Sequence, residues 1–103
     1  MTPERLENIR RMEEILNRTE SFLEEANRLL QRWEALRPDT QRLEKYYYSK
    51  QWRKDHEASN RGEIPEGMPH GVLSEDAIYN LLGDEHFTAL AFLKHITKVI
   101  ARE

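Results

Sequence analysis

The chain contains no cysteine, which excludes disulfide staples, a thiolate nucleophile and any cysteine-ligated zinc. Its four glycines and four prolines are too few for the many tight turns of a β-sandwich. The longest apolar run covers residues 89–93, far short of a membrane span, and the Glu- and Arg-rich N-terminus does not read as a signal peptide. Charge of one sign is also missing: 16 Lys and Arg stand against 19 Asp and Glu, a net charge of −3. Both signs are interleaved along the chain, and only residues 42–54 are mildly basic. Phosphate binding needs a basic patch or stripe, so nucleic acid is not an expected partner, and with no apolar run long enough to span one, neither is a membrane. What remains is 103 residues with 38% hydrophobic content, enough for a single domain with a lean core.

The pattern that is present is helical. Thr2 before Pro3 is an N-cap followed by a residue suited to the first helical position. Apolar residues then recur at heptad spacing in three adjacent rows. The first is Ile9, Leu16, Leu23 and Leu30; the second holds Met12, Thr19, Ala26 and Trp33; the third holds Ile15, Phe22, Leu29 and Leu36. Together they form a stripe of the width a core-facing helix carries, with coiled-coil character. Glu7–Arg11, Glu14–Arg18 and Glu24–Arg28 lie at i,i+4 in the favourable order. The spacing therefore predicts one helix over about residues 3–37, which must hide its stripe against other helices.

Pro38 is expected to end or sharply kink that helix, because its ring opposes helical geometry at Arg37. Asp39 or Thr40 would then cap a shorter helix over about 39–54, carrying Leu43, Tyr46 and Tyr47 and fraying after Ser49. A Gly/Pro loop is predicted at about 58–73. Ser74 would cap the next helix, and Gly83 followed by Asp84 reads as a C-cap and a fresh N-cap, giving helices over about 75–82 and 85–102. An unbroken helix through Gly83 is the alternative. In the last helix Ala89, Phe92, Leu93, Ile96, Val99 and Ile100 share one arc, whereas Phe87 and Leu90 point elsewhere. Either the segment 38–57 folds back onto those two, or they are interface candidates. The expected fold is all-α: the long N-terminal helix antiparallel to the C-terminal helices in a small bundle.

Chemistry-bearing residues concentrate in 46–57, with three Tyr, a Trp, a Ser, an Asp, a His and a Glu. On a helix Ser49, Trp52 and His56 share a face. Tyr47 and Trp52 could wall a pocket, with Ser49, Asp55, Glu57 and Asp76 as polar groups and the carboxylates as acceptors or a base. The plainer reading gives the aromatics to the core, each with a polar tip on a partner. No metal site is expected: Asp55, His56 and Glu57 are consecutive and cannot all face one ion from a helix, and position 60 is Asn, which breaks His-Glu-x-x-His. Ser49 and Ser74 lie in no nucleophile elbow, there is no Gly-rich phosphate loop, and no cofactor is called for.

Tyr46-Tyr47-Tyr48-Ser49-Lys50-Gln51-Trp52-Arg53-Lys54-Asp55-His56-Glu57, followed by Gly71-Val72-Leu73-Ser74-Glu75-Asp76-Ala77-Ile78-Tyr79-Asn80-Leu81-Leu82, resembles the bacterial family grouped as domain of unknown function 4298. The opening helix from Ile9-Arg10-Arg11-Met12-Glu13 onward resembles it too. The resemblance implies a bacterial, cytoplasmic protein and transfers no catalytic or binding residue. Two functions are compatible with these residues. One is a non-enzymatic module for protein interaction or self-association; the other is a small-molecule site or enzyme built from residues 46–57 and 71–76. The long amphipathic helix and the absence of a catalytic motif favour the first.

Overall fold

The structure is a computed structural model describing residues 1–103, and it is all-α. It comprises α1 (Pro3–Tyr47), α2 (Lys50–Asn60), a 3-10 turn (Gly71–Leu73) and α3 (Ala77–Ala101). Two compact units are distinguished, Met1–Asp39 and Thr40–Glu103.

The first unit is a single length of α1. Its start is the expected one: the Thr2 hydroxyl accepts from the Arg5 amide at 3.2 Å, which satisfies one of the free donors of the first turn. Glu7 pairs with Arg10 at 2.8 Å and with Arg11 at 3.6 Å, both at the surface. Thr19 sits in the apolar rows with its hydroxyl donating to the Ile15 carbonyl at 2.8 Å. Ile9, Met12, Ile15, Leu16, Phe22, Leu23, Leu29 and Leu30 are each 44–62% exposed.

Of the two outcomes expected at Pro38, an end to the helix is not the one found; α1 continues to Tyr47. Proline removes one backbone donor and crowds the preceding turn, a cost of about 3 kcal/mol. Terminating a helix there would instead free several carbonyls and amides at once.

The break falls at Tyr48 and Ser49, so the helix expected over 39–54 is replaced by the end of α1 and by α2. Ser49 is the only Ser, Thr, Asp or Asn between positions 41 and 54. Its hydroxyl accepts from the Trp52 amide at 3.2 Å and donates to the Tyr46 carbonyl at 2.6 Å, closing one helix and opening the next. At the other end of α2, Gly62 takes φ +74°, the Glu63 amide bonds Ala58 and the Gly62 amide bonds Ser59. This left-handed closing turn is why a glycine is needed there.

The core of the second unit is small: Leu73 on the 3-10 turn and Ile78 at the start of α3, 7% and 2% exposed. Ser74 acts as the sequence implies, its hydroxyl accepting from the Ala77 amide at 3.2 Å, although the helix proper begins at Ala77. Gly83 does not split the last helix; α3 is continuous to Ala101. A C-cap of this kind needs a positive φ, and Gly83 does not adopt one.

Candidate functional site

The 46–57 cluster and the Gly71–Ser74 segment meet in the second unit, and Trp52 is the pivot between them. Trp52 lies one turn into α2, with His56 four residues on, so the two rings share a helix face. They stack at 4.9 Å with their planes 7° apart, and Tyr47 meets Trp52 edge-on at 5.1 Å. The indole Nε1–H donates to the Val72 carbonyl at 3.0 Å. His56 Nδ1 lies 2.6 Å from the Leu73 carbonyl, a partner that only accepts, so this nitrogen carries the proton. Nε2 then accepts from Asn60 Nδ2 at 3.3 Å, and the Glu75 carboxylate lies 3.8 Å from it. Tyr47 donates its hydroxyl to the Glu75 carbonyl at 3.3 Å. Two rings of α2 and one of α1 thus hold the Val72, Leu73 and Glu75 carbonyls of the segment after the loop.

Asp55 belongs to a second, separate network. Its Oδ2 accepts from the Tyr46 hydroxyl at 2.5 Å and its Oδ1 from Gln51 Nε2 at 2.8 Å. These two donors, Tyr46 first, hold the carboxyl below its ordinary range. Desolvation, and then the hydrogen bond and the charge of Asp55, push the Tyr46 phenol up to about 12.

Of the candidate residues, the structure brings Tyr47, Ser49 and Trp52 together and adds His56, Glu75 and the Val72 and Leu73 carbonyls. Asp55 turns instead to Tyr46. Glu57 and Asp76 are exposed, and Asp76 precedes α3 without a side-chain capping bond. Phe87 is 69% exposed with its ring edge-on to His86 at 5.4 Å, and Leu90 is 37% exposed. A shallow open hollow lies beside the His56 ring, bounded by Asn60, Met68, His70 and Glu75.

The Trp52–His56 pairing is legible in the sequence as a shared helix face. The Tyr46–Asp55 bond is not, because it spans the break at Tyr48 and Ser49, and backbone carbonyls such as those of Val72 and Leu73 have no residue-type signature.

The site as built can clamp the loop's end; it presents no nucleophile beside a base. No helix is long and apolar enough to cross a membrane. Searches of curated proteins and of solved structures return no match. The family model described as domain of unknown function 4298 matches residues 9–95, taking in both α1's apolar rows and the Trp52 clamp, and the chain belongs to that family.

Proposed function

We propose that the protein is a non-enzymatic self-association module of the bacterial cytoplasm, joined through the apolar face of α1. The observation that carries this reading is the eight side chains of that face left 44–62% exposed between Ile9 and Leu30. A contiguous stripe of this size marks an interaction surface in a water-borne chain. A helix of this kind draws most of its stability from packing that face, not from its intrinsic propensity. Covering the exposed part of eight such side chains is worth on the order of 8 kcal/mol per copy before the cost of association.

A small-molecule site in 46–57 and 71–76 has less support. The polar groups of Ser49, Trp52 and Asp55 already bond within the chain. Sedimentation equilibrium of the full chain tests the reading: a multiple of 12.3 kDa is expected, falling toward one copy when Leu16 and Leu23 are both replaced by Glu. A strict monomer at all concentrations would overturn it.

A further inference from the structure

The two edges of the apolar face of α1 differ in charge, level by level. On one edge, positions 4, 11, 18, 25, 32 and 39 are Glu, Arg, Arg, Glu, Arg and Asp. On the opposite edge, two residues further along at each level, positions 6, 13, 20, 27, 34 and 41 are Leu, Glu, Glu, Asn, Glu and Gln. Wherever the first edge carries Arg the second carries Glu, and wherever the first is acidic the second is neutral. Residues two apart lie about 200° apart around a helix, so this match does nothing inside one helix.

It does something between two helices. In a parallel, in-register pair the first edge of one copy faces the second edge of the other, and residues n and n+2 differ by only ~3 Å along the axis. Each Arg11, Arg18 and Arg32 then meets the Glu13, Glu20 and Glu34 edge, and each acidic residue meets a neutral one. In an antiparallel pair each edge faces itself. With the stripes fully overlapped, Glu13 would then confront Glu34 and Arg11 would confront Arg32, a cost in both seams, while Glu20 would lie opposite Asn27 and only Arg18 would find an acid, Glu25. Two of the three glutamates on the second edge are also poorly served at home. Glu20 has no cation three or four residues away, and Arg10, three before Glu13, is bonded to Glu7 at 2.8 Å.

We propose, resting on the self-association reading, that the occupant of this face is a second copy of the chain lying parallel and in register. The charge edges set direction and register; the apolar rows supply affinity. Because the chain has no cysteine, Met12→Cys, in the middle row of the stripe and near its N-terminal end, gives a clean probe. Under mild oxidation of the full chain it forms a disulfide-linked pair, since position 12 meets its own counterpart in this arrangement but would lie opposite Trp33 in a fully overlapped antiparallel one. Replacing Glu13, Glu20 and Glu34 together by Arg weakens association at least about tenfold at low salt, and adding Arg11→Glu, Arg18→Glu and Arg32→Glu to the same chain restores it. That rescue separates a charge effect from a folding defect.

Association that persists while Met12→Cys fails to cross-link, or while the triple reversal leaves affinity unchanged, overturns the parallel arrangement and spares the self-association reading. A chain that stays monomeric overturns both.

Discussion

Replacing Trp52 by Ala should be the most damaging single change in the second unit. The indole there makes a hydrogen bond to the Val72 carbonyl, a stack on His56 and an edge contact with Tyr47. A hydrogen bond of this kind contributes about 1 kcal/mol net. Two ring contacts add about 0.5–1.5 kcal/mol each, and the half-buried ring's apolar area adds on the order of 1–2 kcal/mol. The total loss is about 4 kcal/mol, within the ~3–5 kcal/mol usual for truncating a packed aromatic. Urea denaturation followed by near-ultraviolet circular dichroism, which reads aromatic packing, measures it. Trp52→Phe keeps a ring but not the N–H, and should lose about 1–2 kcal/mol. Combining Trp52→Ala with His56→Ala in a double-mutant cycle should return a coupling of about 1 kcal/mol for the stack. A loss below about 1 kcal/mol for Trp52→Ala would refute the clamp, because none of these contacts could then be holding the loop's end.

Gly83→Ala should stabilise the protein by about 0.5–1 kcal/mol, since a Cβ there meets nothing within 4 Å and the backbone is helical; a drop in the thermal midpoint would mean that Gly83 ends a helix after all. The Tyr46–Asp55 pair makes stability depend on pH at both ends. Asp55 is held low in the folded state, so its contribution is full above the unfolded carboxylate value and fades as pH falls through the folded one. Tyr46 is raised to about 12, so its contribution is full below its ordinary value of 10.0 and fades between 10.0 and about 12. Ultraviolet titration should therefore find one phenol still protonated well above pH 10, and Asp55→Asn should bring that midpoint down; an unchanged midpoint would remove Asp55 as a cause.

The heptad rows of α1 need no structure to be read, because a helix period repeated through Ile9, Leu16, Leu23 and Leu30 has few other meanings. Ser49, Trp52 and His56 are likewise placed on one face by their spacing alone. The acceptors they meet are beyond the reach of spacing. Val72 and Leu73 offer backbone carbonyls, and which carbonyl faces an indole is decided by how the chain returns after Gly67, where φ is +83°. Tyr46 and Asp55 are nine residues apart, a spacing that pairs on no single helix; only the turn at Ser49 brings them to 2.5 Å.

Pro38 and Gly83 mislead for the same reason. Each obeys a local rule whose cost is bounded, about 3 kcal/mol for proline and about 1 kcal/mol for glycine. A helix end must find partners for as many as four carbonyls on one side and four amides on the other. Position 37 has no glycine after it to close the turn, and Gly83 lies within α3 at a helical φ. At Ser49, by contrast, one hydroxyl serves both the ending and the starting helix, which makes that break cheap. Continuity through Pro38 also keeps Leu43 in the row of Ile15, Phe22, Leu29 and Leu36, so the proline interrupts a hydrogen bond without shifting the phase of the stripe. A residue type announces what a break would cost. Whether the chain breaks there depends on what stands ready to satisfy the ends.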